Sequence, residues 1–284
     1  MKNIEHITDL CVIGGGMAGI CTAISAARHG IKVVLVQDRG VLGGNASSEI
    51  RMWICGAHGK DNRETGIIEE IMLENFFQNP QLSYSLWDMV LFDKTARQDN
   101  LTLLLNTSCL DANTENGKII SITAWQSPCE TVHTIKARYF ADCSGDSILS
   151  TLTGAHFRYG REAESEFGES IEPKTADKKT MGMSCLFQVR ETDKPQKFTP
   201  PEWAYKYCTD DDIPFREHDL SSNFWWIETG GEGDCIHDTD KCRDELLKIA
   251  YGVWDHIKNH GDHGAENYEL EWVGILPGKR QSRR

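Results

Sequence analysis

No C-x-x-C pair occurs anywhere in the 284 residues: the ten cysteines, at 11, 21, 55, 109, 129, 143, 185, 208, 235 and 242, never stand closer than seven apart. That spacing excludes a zinc ribbon, a thioredoxin-type dithiol and a clustered iron–sulfur site, all of which need close cysteine pairs. Unclustered cysteines in a long chain read instead as reduced thiols of a cytoplasmic protein. Basic charge is also short. Lys plus Arg number 30 against 43 Asp plus Glu, a net charge of −13. An acidic surface of this size repels phosphate backbones, so nucleic acid is not an expected partner. No leader or membrane span is expected either. Leu10 to Ala27 is uncharged, but it follows Glu5 and Asp9 and is interrupted by Gly14, Gly15, Gly16 and Gly19. Such a run breaks into strand, turn and helix, with no membrane role expected. With 39% hydrophobic and 26% charged residues, the chain reads as a globular protein of one large or two modest domains.

What is present begins at the amino terminus. Leu10, Cys11, Val12 and Ile13 predict a strand, Met17 to His29 a helix stopped by Gly30, and Lys32 to Val36 a second, β-branched strand. Between the first strand and the helix, Gly14, Gly16 and Gly19 supply G-x-G-x-x-G. The first glycine permits the tight turn, the second lets a pyrophosphate approach the backbone, and the third lets helix and strand pack closely. Met17 and Ala18 open the helix there, where free N–H groups and the helix dipole favour an anion. The second strand of such a unit normally ends in an acid that accepts hydrogen bonds from the adenosine ribose. Here Gln37 stands at that point with Asp38 next. Either the Gln37 amide or the Asp38 carboxylate can serve, and the sequence leaves both open.

The turn serves FAD and NAD alike, and three later features favour the flavin. Arg39 to Ala46 (RGVLGGNA) is a second glycine-rich turn, with Gly43, Gly44 and Asn45 at its centre. Leu101 to Asn106 and Ile119 to Trp125 predict a hairpin that continues through Thr131 to Lys136 as a three-stranded meander. Ala137 to Asp146 (ARYFADCSGD) predicts an apolar strand ending in a small-residue turn.

On the stretches DLCVIGGGMAGICTAISAA, VVLVQDRGVLGGNASSEIRMW and ARYFADCSGDSILSTLTGA, the chain resembles the FAD-dependent oxidoreductases of the glutathione-reductase-like superfamily. It looks closest to the broad bacterial family related to the heterodisulfide reductase A subunit. The resemblance implies an α/β fold: a Rossmann-like FAD/NAD(P)-binding domain, parallel sheet plus β-meander, over 1–158, and an α+β substrate or cap domain over 159–284. It implies FAD as cofactor, with Ser144, Gly145 and Asp146 closing over it and Cys109 completing the cofactor set. In such folds the polypeptide returns after the substrate domain with a Gly-Asp turn and a closing helix. Nothing of that kind follows Arg284, so a C-terminally truncated chain is expected.

The implied activity is hydride transfer between FAD and a small organic substrate, with an electron-transfer partner or a homo-oligomer as further partners. An NAD(P)-dependent dehydrogenase and a non-catalytic nucleotide-binding fragment are the alternatives. Flavin chemistry leaves the protein to position substrate and supply an acid or base. The segment 47–60 (SSEIRMWICGAHGK) offers Arg51, Cys55 and His58 for that work. A thiolate beside an imidazolium is a redox or acid–base pair; the plainer alternative is a buried cysteine and a loop-tip histidine. Trp225 and Trp226 could stack on a substrate ring or merely build core, and the basic end at Lys279, Arg280, Arg283 and Arg284 could meet an anion or water. His256, His260 and His263 resemble a metal set in spacing, but Gly261 and Gly264 end the helix there, so no metal ligand is expected.

Overall fold

The computed structural model describes residues 1–57, 59–214, 216, 218–220 and 224–284. Two compact units divide it. The first comprises Met1–Ser48, Trp53–Arg158 and Arg283–Arg284, the second Glu49–Met52 and Tyr159–Ser282. Among the described residues no helix is long and apolar enough to cross a membrane.

The first unit runs β1 (Lys2–Ile13), α1 (Met17–Arg28), β2 (Val33–Val36), α2 (Gly66–Gln78), α3 (Tyr84–Ala96), β3 (Leu101–Leu104), β4 (Thr107–Glu115), β5 (Lys118–Gln126), β6 (Thr131–Asp142) and α4 (Ile148–Thr153). One six-stranded sheet holds them in the order β3-β2-β1-β6-β5-β4. The four strands from β3 to β6 are parallel, and β4, β5 and the start of β6 form the antiparallel meander. β2 shows why the sheet is two-sided. All four of its residues are buried, and alternation sends Val33 and Leu35 to one face and Val34 and Val36 to the other. On the first face they meet Ile20, Ala23 and Ile24 of α1, Ile71 of α2 and Leu91 of α3. On the second lie Ile122, Ile135 and Leu149. Only the last three residues of β1 are buried. β2 pairs with β1 from Leu10 onward, whereas β6 pairs with it from Lys2, so the first half of β1 has β6 on one side and an open edge on the other.

One expected pairing is different. Leu101–Leu104 is not a strand of the hairpin but pairs with β2 at the far edge of the parallel sheet. The apolar run is broken at Asn106, whose φ of 52° turns the chain out of extended backbone. The hairpin partner of β5 is Thr107–Glu115, a more polar strand exposed on one side.

The second unit contains α5 (Glu164–Phe167), β7 (Met183–Ser184), β8 (Phe187–Glu191), β9 (Glu228–Thr229), α6 (Thr239–Asn259), β10 (Tyr268–Val273) and β11 (Gly278–Lys279). β8 pairs with β10, and β11-β7-β9 form a separate small sheet. The core is the apolar stripe of α6, Leu246, Ala250, Val253, Trp254 and Ile257, recurring at three- and four-residue steps. Against it, Phe187 and Phe224 stack with ring centroids 4.1 Å apart. The aromatic run over 224–228 is mostly a turn. Phe224 adopts a φ of 52° to put its ring into the core, and ladder pairing begins only at Glu228.

Candidate functional site

The glycine turn is built by two neighbouring strands closing on the end of β1. Gly14 N–H donates to Val36 O at 2.8 Å on one side, and Cys143 N–H donates to Ile13 O at 2.7 Å on the other. Gly14 has a φ of +102°, and a Cβ there would stand 2.3 Å from Cys143 O; a Cβ on Gly19 would stand 1.8 Å from Gly14 O. Both positions are closed to any side chain. Gly16 differs. It caps α1 with extended backbone, and the nearest atom to a Cβ placed on it is Gly44 Cα at 3.9 Å. The first and third glycines therefore hold the strand, turn and helix together, and the second leaves space above the helix end. The first turn of α1 contains no acidic residue, so its unpaired N–H groups meet no competing charge.

The second glycine turn packs directly on the first. Gly43 N–H donates to Gly15 O at 2.8 Å, and Gly43 and Gly44 have φ of +106° and +60°. α3 anchors its far end, where Trp87 Nε1 donates to Ala46 O at 2.7 Å. Gln37 ties the two turns to each other: its Oε1 accepts from Gly15 N–H at 2.7 Å and its Nε2 donates to Val41 O at 3.0 Å. Only 2% of Gln37 is exposed. Asp38 stands beside Arg39, 4.0 Å from its Nε, with 65% of its side chain in solvent.

The third turn is organised by Asp142 rather than by the acid that follows the glycine. Asp142 Oδ1 accepts from Ser144 N–H at 3.1 Å and from Ser144 Oγ at 2.6 Å, and its Oδ2 accepts from Leu149 N–H at 2.8 Å. One carboxylate thus bridges Ser144, at the start of the turn, to Leu149 in the first turn of α4. Asp146 gives its carbonyl to Arg283 Nε at 2.8 Å. Cys109, on β4, has its thiol pushed up to about 11, by burial first and by the Asp142 charge second. It is a neutral thiol beside the turn.

A family profile described as FAD dependent oxidoreductase matches residues 9–284, nearly the whole chain. The chain belongs to this FAD-dependent oxidoreductase family. Membership decides between the two dinucleotides that the glycine turn admits, in favour of FAD. Short stretches are also similar to curated proteins: glycerol-3-phosphate dehydrogenase of Mycobacterium leprae (strain TN) is 36% identical over 66 residues, 23% of this chain and 11% of that protein. Dihydrolipoamide dehydrogenase of Chaetomium thermophilum is 53% identical over 40 residues, 14% of this chain and 8% of that one. This chain thus matches about a tenth of those relatives' length. A solved glycerol-3-phosphate dehydrogenase from Bacillus halodurans, complexed with FAD, aligns at a TM-score of 0.38 and 15% identity over 65% of this chain and 40% of that one.

Of the three residues expected to act on a flavin, the two that are described belong to different units. Cys55 is exposed in an irregular segment of the first unit, so it is not the buried cysteine of the plainer alternative. Arg51 belongs to the second unit. Its guanidinium donates to Gln188 Oε1 and lies 4.1 Å from the centroid of the Trp272 ring, and its backbone holds a φ of 62°. His58 lies outside the described residues. The terminal arginines are engaged within the fold. Arg280 pairs with Glu228 at 2.6 Å and reaches Ser184 Oγ at 3.0 Å, and Arg283 holds the third turn. Trp226 packs on the core of the second unit, whereas Trp225 is exposed with Arg280 over its ring.

The three histidines noted for their spacing do not act together. His260 Nε2 turns to Asp255 Oδ2 at 3.5 Å. His256 and His263 converge instead with His218 and Asp210, four potential ligand atoms within 4.8 Å of one another. Sequence spacing could not reveal that group, because its members are brought together from 210 to 263 by the fold.

Proposed function

We propose that this protein binds FAD on its first unit and transfers a hydride between that cofactor and a small organic substrate. The observation that carries the reading is the contrast among the three glycines, two closed by backbone contact and Gly16 open at the start of α1. In this reading Gly16, Met17, Ala18 and Gly19 present backbone N–H groups to the pyrophosphate, with Gly43, Gly44, Asn45 and Ala46 along its other side. Asp38 takes the adenosine ribose, since the Gln37 amide is already shared between Gly15 and Val41. Arg39, Cys109, Ser144, Gly145 and Asp146 complete the cradle. FAD, when bound, supplies the two-electron acceptor or donor. The protein's part is to orient the substrate and to hold or move a proton, for which the exposed Cys55 and, three positions on in the sequence, His58 are the candidates. Arg51 is the candidate for a negatively charged substrate group; a left-handed non-glycine residue costs about 1–3 kcal/mol and is retained most often at functional positions. Ten free thiols suit a reducing cytoplasm. An electron-transfer partner or a second copy of the chain remains the proposed macromolecular contact.

The test is reconstitution of the full chain with FAD, removal of free cofactor, and measurement of flavin released on denaturation. Stoichiometric flavin that bleaches anaerobically with a reductant substrate supports the reading. Flavin that washes away from folded protein overturns it.

A further inference from the structure

Gly252, in the middle of α6, lets a distant segment lie directly on the helix: a Cβ there would stand 2.4 Å from Tyr205 O, and Tyr205 N–H donates to Lys248 O at 3.2 Å. Two residues on, Tyr207 O accepts from His256 Nδ1 at 3.0 Å. The chain then makes a single turn over Asp210–Asp212, closed by a capping box between Thr209 and Asp212, and returns so that Ile213 O accepts from His218 Nε2 at 3.0 Å. Past the end of α6, Gly261 takes a φ of +91° and packs its backbone on the ring of His263. Asp210, His218, His256 and His263 are thereby gathered within the second unit.

The hydrogen bonds fix what each ring presents. A carbonyl oxygen only accepts, so the protons sit on His256 Nδ1 and His218 Nε2. The remaining nitrogens, His256 Nε2 and His218 Nδ1, face each other at 3.3 Å with a lone pair each. Two lone pairs do not bond to one another. Asp210 Oδ1 adds negative charge at the same place, 3.1 Å from His256 Nε2, 3.6 Å from His218 Nδ1 and 3.4 Å from His263 Nε2. His263 Nε2 is buried and makes no hydrogen bond among the described residues. The lone pairs of His256 and His218, the Nε2 of His263 and a carboxylate oxygen converge on one small volume, and among the described residues Asp210 forms ion pairs with these histidines alone.

We propose that this cluster binds one divalent transition-metal ion, zinc first, through Asp210, His218, His256 and His263. A tetrahedral ion with bonds of about 2.0–2.1 Å spaces its ligand atoms about 3.3–3.4 Å apart. Four of the six separations, from 3.1 to 3.6 Å, bracket that value, and the other two, between His263 and the other rings, lie within 4.8 Å. Imidazole donors suit zinc and its neighbours, whereas magnesium and calcium require oxygen ligands. The Tyr207 and Ile213 carbonyls are the outer partners that orient two of the rings. Four protein donors leave no open coordination position, which makes the site structural: it ties Asp210 and His218 to the end of α6. This role is independent of FAD.

The experiment uses the full chain without a histidine tag, stripped with a chelator and titrated with zinc against a chromophoric competitor, with cobalt as the spectroscopic probe. One equivalent of zinc is expected, with an intense visible cobalt spectrum typical of four-coordination and no thiolate charge-transfer band, which separates this site from the ten cysteines. Asp210→Ala and His263→Gln should each weaken zinc binding by more than about 100-fold, the upper end of what loss of an outer partner costs. Because 71% of the Asp210 side chain is exposed, the Asp210 variant should match the wild-type melting temperature in chelator while losing the rise that zinc gives. Sub-stoichiometric zinc, unchanged affinity in both variants, or a melting temperature that responds to pH but not to zinc, the mark of a proton shared between the rings, would overturn the assignment.

Discussion

The two candidate sites of this protein are made in opposite ways. The dinucleotide cradle is largely backbone: glycines whose missing side chains permit close contact or leave room, with the working N–H groups at a helix start. The histidine cluster is entirely side chain, assembled from a one-turn segment, a loop, a long helix and the residues after it. Backbone sites restrict the amino acid to glycine at fixed local offsets, and that restriction is visible in a string of letters. Side-chain sites tolerate any spacing that the tertiary fold can close.

That difference is open to direct attack. Gly19→Ala should have the largest effect, because its Cβ meets Gly14 O at 1.8 Å. Prying α1 from β1 should cost about 3 kcal/mol, the upper end for overpacking, and abolish flavin retention, read by thermal melting and by released FAD. Gly16→Ala should weaken FAD about 100-fold, roughly 2.7 kcal/mol, while the melting temperature of the FAD-free protein stays at the wild-type value. If the two variants behave alike, the division of roles among the glycines is wrong. Next in size is the pair at the end of β2. Gln37→Ala leaves Gly15 N–H and Val41 O unpaired and should cost about 1–3 kcal/mol in stability. Asp38→Asn should leave stability unchanged and weaken FAD about tenfold, roughly 1.4 kcal/mol; calorimetric titration of both variants separates the outcomes.

The smallest effect concerns the surface of the first unit. Glu70 is held down to about 2, chiefly by its hydrogen bonds to Arg28 and then by Lys94. A carboxyl depressed on folding adds stability above its unfolded pKa and loses it as pH falls toward the folded value, so the loss here runs from about 4.5 down to about 2. With more than a third of the Glu70 side chain in water, the contribution is below about 1 kcal/mol. Glu70→Gln should flatten the acid limb of urea unfolding by no more than that, and a larger change would mean that the ion pair is better shielded than its exposure indicates.

Legibility followed the same division. The β1–α1–β2 unit and the two glycine turns are legible because each rests on a local period or a glycine at a fixed offset. Leu101–Leu104 carried the right pattern for a strand but not the identity of its neighbour, since pairing depends on where Asn106 turns the chain. Gln37 looked like a weakened ribose ligand, and its commitment to Gly15 and Val41 became visible only with both turns in place. Asp142 escaped notice because its two oxygens act on the backbone of a turn that was identified by its glycine. Phe224 was lost among strand-forming aromatics, although its left-handed backbone is what carries its ring into the core.

The open half of β1 has its own consequence for behaviour in solution. From Lys2 to about Ile7 that strand offers unpaired backbone groups on the side away from β6, the arrangement that recruits a second chain into fibrils. Its exposed residues include Lys2, Glu5 and the 78%-exposed Ile7, and Glu5 is already paired with Lys136 across the ladder at 2.7 Å. The charges of Lys2 and Glu5 thus flank an edge on which Ile7 is an exposed apolar side chain. An unpaired strand edge of this kind is a general route to self-association.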